Sequence, residues 1–267
     1  ESKLAFAEPG DRFAHMARAG FGAAVGFWNS VECTAENVMI HDAPGLVTGL
    51  VSSDAIVIRG IHCTWRPGTD RLLSANADGV HVQQNLRGPL IENCVFEGMA
   101  DDAINIYYPP LIVTEVLSPT RVRTARGGEV KPGDTLQVYD NPTGRLRATV
   151  TATAVQAQDD GSRIVEWDQP VSGVVPGTDH YDADCLYNLT RTGAGYTIRN
   201  NVFRWHRRFA IFLKAPHGLV EGNLIDAVAG YGIEVGNCAD WPEGSLPYDI
   251  TVRNNTIQDV GYSQGYG

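Results

Sequence analysis

The sequence lacks long apolar runs and has few basic residues, and each shortage excludes a class of protein. No window approaches 18 consecutive apolar residues, so no membrane-spanning helix is expected. Lys and Arg total 21 against 31 Asp and Glu, a formal net charge of −10. This balance argues against a nucleic-acid partner, because phosphate-binding surfaces are normally basic. The chain begins at Glu1 without a charged and apolar leader, so a signal peptide is expected to be absent or removed.

Paired cysteines are also missing. The five cysteines are odd in number and form no CxxC motif, so a zinc site is not expected. They are Cys33, Cys63, Cys94, Cys185 and Cys238. Cys63 and Cys94 fall within apolar strand patterns, which predicts that they are small buried hydrophobes.

Helical periodicity is almost absent, and two short strand-like patterns recur instead. One pattern, apolar, polar, Gly or Asn, then apolar, occurs at 58–61, 91–96, 198–203, 220–225 and 252–257. The other is a small residue followed by alternating apolar positions, at 79–82, 103–106, 210–213 and 232–235. Gly79 and Ala103 are 24 residues apart, and Ala210 and Gly232 are 22 apart. This period predicts an all-β chain, a right-handed parallel β-helix whose coils bury their faces by stacking.

The repeat is interrupted between Ala103 and Ala210. Residues 111–184 are rich in Val, Thr and Arg and are predicted to form a small antiparallel β-barrel inserted into the β-helix, which then comprises 31–110 and 185–267. Residues 1–30 are predicted to contain a related barrel-like element. The reason is that Pro9-Gly10-Asp11 precedes a strand-like segment, as Pro132-Gly133-Asp134 does.

Three aspartates stand at the start of two repeats. Alignment makes Asp78 and Asp102 equivalent, so stacking is expected to place them about 4.7–4.9 Å apart, with Asp101 beside them. Arg207 and Arg208 follow at the next repeat. Alternatively, each Asp is only a turn residue that bonds nearby backbone.

Clustered carboxyls are what glycoside hydrolysis requires. One carboxyl must stay protonated while another stays ionised, and like charges a few ångströms apart raise one pKa. The three aspartates are therefore the candidate catalytic residues. A diagonal placement of Asp101 against Asp78 favours inversion of configuration.

Polar and aromatic side chains on the outward line of the strands, and in a later loop, are candidate sugar-binding residues. They are His81, Asn105, Arg208, Lys214, Glu234, Trp241 and Glu243. Trp241 either closes over the site or caps the core, and the sequence does not choose between these.

At these residues the chain resembles glycoside hydrolase family 110, the β-helical α-1,3-galactosidases. The resemblance lies in Ala77-Asp78-Gly79-Val80-His81, in residues 97–106, in residues 208–215 and in Trp241-Pro242-Glu243-Gly244. It implies an exo-acting, inverting enzyme that needs no metal or cofactor. It further implies Asp101 as general acid, with Asp78 and Asp102 activating water.

Two other classes remain open. A calcium-dependent polysaccharide lyase of the same architecture would bind Ca²⁺ through the three aspartates and use Arg208 or Lys214 as base. A non-catalytic β-helix would bind glycans without turnover. In each case the expected partner is a carbohydrate, a galactose-containing glycan in the leading hypothesis. A homo-oligomer is left open, and a secreted or periplasmic bacterial location follows only from the enzyme class.

Overall fold

A computed structural model describes residues 7–16, 22–238 and 241–263. Its strands form three parallel sheets of six strands each and one closed six-stranded barrel. The fold predicted from the repeats, a parallel β-helix with an inserted barrel, is confirmed. Within the described residues, no helix is long and apolar enough to cross a membrane.

The first sheet contains the repeats in which a small residue precedes alternating apolar positions. Its strands, in spatial order, are β1 (Ala23–Trp28), β4 (Leu46–Val51), β7 (Val80–Gln83), β10 (Ile104–Tyr107), β19 (Ile211–Leu213) and β22 (Ile233–Val235).

The second and third sheets contain the other repeats, in which an apolar and a polar residue precede Gly or Asn and a further apolar residue. The second contains β2 (Thr34–Glu36), β5 (Val57–Arg59), β8 (Leu90–Glu92), β17 (Thr197–Arg199), β20 (Gly218–Glu221) and β23 (Ile250–Arg253). The third contains β24 (Thr256–Val260), β21 (Leu224–Val228), β18 (Val202–Arg204), β9 (Val95–Glu97), β6 (His62–Cys63) and β3 (Met39–Ile40).

The core lies between these three sheets. Inward residues such as Val80, Ile104, Ile198 and Phe203 have no solvent exposure, because each coil covers the apolar face of the next. Cys63 and Cys94 belong to this core, as predicted.

The barrel replaces the turn between β10 and β17. Its strands, in order around the barrel, are β11 (Leu111–Ser118), β12 (Arg121–Thr124), β15 (Arg163–Trp167), β14 (Arg145–Ala157), β13 (Thr135–Asp140) and β16 (Asp184–Asn188). The last barrel strand thus ends at Asn188 rather than at residue 184, and a single turn of 3₁₀ helix follows at Leu189–Arg191.

The barrel-like element predicted for residues 1–30 is wrong for residues 23–28. These form β1, which pairs in parallel with β4, and alternation directs Val25 and Phe27 onto the solenoid core. The described residues 7–16 contain no strand, whereas residues 1–6 and 17–21 lie outside the described part of the chain.

Polar ladders hold the coils in register. In the second sheet the stacked residues alternate in charge, and Glu92 lies between Arg59 (2.7 Å) and Arg199 (2.6 Å). At the turn that follows, Asn201, Asn223 and Asn255 bond to one another and to the backbone of neighbouring coils.

Candidate active site

The three aspartates lie at the turn that leads into β7 and β10. Parallel pairing aligns Val80 with Ile104, and the Gly79 amide donates to the Asp102 carbonyl at 3.0 Å. Asp78 and Asp102 are therefore neighbours on successive coils, as the repeat alignment predicts. One oxygen from each of Asp78, Asp101 and Asp102 lies within 4.8 Å of the other two, and all three residues are buried.

Asp78 is held by a chain of polar side chains. Its Oδ2 is 2.6 Å from His81 Nδ1, and His81 Nε2 is 3.0 Å from the Tyr107 hydroxyl. The Tyr107 hydroxyl also donates to Gln83 Oε1 at 3.0 Å, which extends the chain to a fourth side chain.

Asp101 and Asp102 share one cation. The Nε of Arg208 is 3.4 Å from Asp101 Oδ1 and 3.8 Å from Asp102 Oδ1. Asp102 Oδ1 also accepts from the Phe209 amide at 3.2 Å. Arg207, expected to face the carboxylates with Arg208, instead donates to the Ala100 carbonyl at 2.5 Å and is exposed.

Burial and nearby charges shift the pKa values of two side chains in the site. The pKa of Asp102 is raised well above its usual value, first by burial and then by the charges of Asp78 and Asp101. Burial alone would lower the pKa of His81, but its hydrogen bond to Asp78 and the charge of that carboxylate raise it. Burial and charge thus favour a protonated Asp102, and glycoside hydrolysis requires one protonated carboxyl of this kind.

These residues line a cavity of about 510 Å³. Eight of the ten predicted site residues contribute to its walls: Asp78, Asp101, Asp102, His81, Asn105, Arg208, Trp241 and Glu243. Trp241 is thus at the cavity rather than over the core, and it is 53% exposed.

Lys214 is fully buried and supports the wall from behind. Its Nζ is 2.9 Å from Glu243 Oε2 and 3.3 Å from Asn105 Oδ1. It also lies 3.5 Å from the ring centroid of Phe212, which does line the cavity. Lys214 is thus not among the residues that line the cavity, and its predicted contact with sugar stays a prediction.

Glu234 is not brought to the cavity. It lies one coil beyond Phe212, where its Oε1 accepts from the Cys238 thiol at 2.8 Å. Register alone places it in line with His81 and Asn105, but the cavity ends before its coil.

Several wall residues were not selected from the sequence: Trp28, Leu46, Val51, Ala77, Gln83, Tyr107 and Phe212. Gln83, Tyr107 and Phe212 stand on the outward line, where alternation was available as a signal. Trp28 belongs to a segment read as barrel-like, so its place in the first sheet was missed.

The same three aspartates are the described group most suited to a cation. Carboxylate oxygens within 4.8 Å of one another are ligands of the kind that Ca²⁺ takes. Arg208 already supplies positive charge there, which disfavours a second cation.

Known proteins with related sequences share one name. Alpha-1,3-galactosidase B of Akkermansia muciniphila is 28% identical over 230 residues, which cover 83% of this chain and 28% of that protein. Alpha-1,3-galactosidase B of Bacteroides thetaiotaomicron is 28% identical over 247 residues, 88% of this chain and 39% of that protein. Alpha-1,3-galactosidase A of Bacteroides fragilis is 27% identical over 256 residues, 91% of this chain and 41% of that protein.

The chain thus spans well under half the length of these relatives. No protein-family model matches it. Eight curated relatives match, and all carry the name alpha-1,3-galactosidase. This chain is therefore similar in sequence to proteins named alpha-1,3-galactosidase, which is consistent with its resemblance to glycoside hydrolase family 110.

Proposed function

We propose that this chain carries the active site of an exo-acting glycoside hydrolase that removes terminal α-1,3-linked galactose with inversion. The observation that carries the proposal is the trio of buried carboxyls, Asp78, Asp101 and Asp102, within one cavity. The names of the relatives support galactose as the sugar and the α-1,3 linkage.

In the proposed reaction, Asp101 donates a proton to the glycosidic oxygen as the bond to the anomeric carbon breaks. Asp78 and Asp102 orient a water whose oxygen bonds to that carbon, and they accept its proton. This division of roles follows from the resemblance. The raised pKa of Asp102 supplies the cluster with a proton, and this proton must pass to Asp101 before Asp102 can accept a proton from the water.

The cavity wall offers what a pyranose requires. His81, Asn105, Arg208 and Glu243 supply polar groups for hydroxyls, whereas Phe212 supplies an apolar ring face. Lys214 holds Asn105 and Glu243 in place, so the hydrogen-bonding groups are preorganised.

The most informative experiment is a screen of aryl α- and β-glycosides, with proton NMR of the first product formed from any substrate that reacts. We expect turnover of the aryl α-galactoside and initial release of β-galactose. Initial release of α-galactose would refute inversion. Turnover of a different glycoside alone would refute galactose.

Substitution of the proposed acid tests its role. Asp101→Asn is expected to lower kcat on an α-1,3-galactoside by about 10²–10⁴-fold, the usual contribution of a general acid. The same variant should retain far more activity on α-galactosyl fluoride, because fluoride leaves without a proton. Equal losses on both substrates would contradict the assignment, and unchanged galactose affinity by calorimetry would show that the site is intact.

A calcium-dependent polysaccharide lyase is the second candidate, favoured only by the closeness of the three carboxylates. It requires a free base, whereas Lys214 is fully buried against Glu243, and Arg208 contacts Asp101. Ultraviolet-absorbing products that disappear with chelator would support the lyase, and hydrolysis that persists in chelator would exclude it. Glycan binding with no turnover of any glycoside would support the non-catalytic alternative.

The proposed partner is a galactose-containing glycan. A secreted or periplasmic bacterial location is proposed from the enzyme class alone. Homo-oligomer formation stays a prediction, to be tested by light scattering.

A further inference from the structure

The cavity continues from the carboxylates toward the first coil, where Trp28 forms part of its wall. Trp28 ends β1 and pairs with Val51, which in turn pairs with Gln83 of β7. Its indole folds back over Gly26, where a Cβ atom would overlap the ring. A Cβ at Gly49 would stand 3.4 Å from the same ring. Gly26 thus leaves space for the indole to lie along the outer face of the sheet, and the ring packs beside Gly49.

The side chain of Trp28 is accessible to a sugar bound in the cavity. The side chain is 48% exposed although it lines the cavity. β1 is two strands from β7, so roughly 9–10 Å separate Trp28 from the strand that carries His81. The indole itself reaches toward β4, the strand between β1 and β7.

The two ends of the cavity differ in chemistry. At the end formed by later coils, Arg208, Asn105 and Glu243 supply hydrogen-bonding groups, and the loop with Trp241 limits the space. At the end formed by earlier coils, the wall contributed by the described residues is Trp28, Leu46 and Val51, none of which is charged. A terminal galactose needs hydrogen-bonding groups and so fits the polar end of the cavity. The rest of the bound glycan then extends from the galactose along the apolar end.

We propose that Trp28 forms a second sugar subsite, on the leaving-group side of the scissile bond, by stacking on the pyranose next to the galactose. This inference rests on the proposed hydrolase function. An aromatic ring suits this position, because the C–H face of a pyranose is apolar and a flat indole covers it without requiring a particular pattern of hydroxyls.

Substrates with and without a leaving sugar test the subsite. For Trp28→Ala we expect kcat/KM on an α-1,3-galactosyl oligosaccharide to fall about tenfold, mainly through KM. On α-galactosyl fluoride, which has no leaving sugar, kcat/KM should stay within about twofold. Trp28→Phe should restore most of the loss. Equal losses on both substrates, or no loss on the oligosaccharide, would overturn the subsite.

Trp205→Ala is a matched control, because Trp205 is 50% exposed but directly follows β18 of the third sheet, outside the cavity wall. It should leave both substrates unaffected. If the wild-type chain hydrolyses neither substrate, the proposed function fails, and binding then decides the subsite. Weaker oligosaccharide binding with unchanged galactose binding, measured by calorimetry for Trp28→Ala, would support it. Unchanged oligosaccharide binding would overturn it.

Discussion

At the scale of the residue, Asp102 shows a conflict between stability and chemistry. It is 4% exposed, and the carboxylates of Asp78 and Asp101 stand beside it. Its raised pKa means that the folded state binds a proton more tightly than the unfolded chain does. The contribution of Asp102 to the free energy of unfolding is therefore fully present below its ordinary pKa of 3.8. This contribution is lost as the pH rises through the raised pKa.

Asp102→Asn is accordingly expected to stabilise the fold at neutral pH while lowering activity. The amide oxygen can still accept from the Phe209 amide, and the buried charge is removed. We expect a gain of about 0.5–2 kcal/mol near pH 7, measured by denaturant unfolding. The gain should disappear well below pH 3.8, where both side chains are neutral. A loss of stability at neutral pH would contradict this reading of the site.

At the scale of the element, the asparagine ladder fixes the stacking of coils. Asn223 Oδ1 accepts from the backbone and side-chain nitrogens of Asn201, and its Nδ2 donates to the Ile198 carbonyl and to Asn255. Asn223 is 2% exposed, so water cannot replace these bonds. The pattern is visible in the sequence as Asn pairs at strand ends, but the cross-coil bonding is not.

Asn223→Leu should therefore cost about 2–3 kcal/mol, because buried donors on Asn201 lose their acceptor. Thermal or denaturant unfolding would measure the loss. Asn255→Leu offers a comparison at a more exposed rung and is expected to cost less. Equal costs would show that burial does not set the strength of the ladder.

The charge ladder of the second sheet predicts a different pH dependence. The hydrogen bonds of Glu92 to Arg59 and Arg199 lower its pKa, although partial desolvation opposes them. Its stabilising effect is present above the ordinary value of 4.5 and is lost as pH falls through the lowered pKa.

A double-mutant cycle of Glu92→Gln with Arg199→Gln should give a coupling of roughly 0.5–1 kcal/mol near pH 7. At a pH below the titration of Glu92 the coupling should vanish. A coupling that persists there would mean that the pair is held by packing instead of charge.

At the scale of the whole molecule, the barrel supports the loop that forms part of the cavity wall. Gln137 of β13 accepts from the Leu246 amide at 2.9 Å, and the Tyr187 hydroxyl of β16 donates to the Pro242 carbonyl at 3.3 Å. The Tyr108 amide, just before the barrel, donates to the Glu243 carbonyl. The insertion is thus joined to the wall that carries Trp241 and Glu243.

Gln137→Leu is expected to raise KM for an α-galactoside by about tenfold while kcat changes less, because the loop loses an anchor but the carboxylates keep theirs. Gln156→Leu, at an exposed glutamine of the same barrel, is the control. An unchanged KM for Gln137→Leu would show that the loop is held by its other contacts.

The repeats alone predicted the solenoid, the inserted barrel and the adjacency of Asp78 and Asp102. This was achievable because stacking is periodic, so one repeat length places equivalent residues side by side. Alternation likewise predicted which of Val80 and His81 faces the core. Local pattern was misleading near the start of the chain. The turn motif Pro9-Gly10-Asp11 suggested a barrel-like element over residues 1–30, but residues 23–28 form β1 of the first sheet.

The tertiary structure alone decided which residues on the outward line of the strands reach the cavity. Glu234 stands in register with the site yet lies beyond it, whereas Lys214 is buried behind its wall. Trp28 enters from the first coil because Gly26 leaves room for its ring. The sequence determined the order of the coils and the position of the carboxyls along them. The walls around those carboxyls are made by distant segments, so their shape depends on contacts that no repeat encodes.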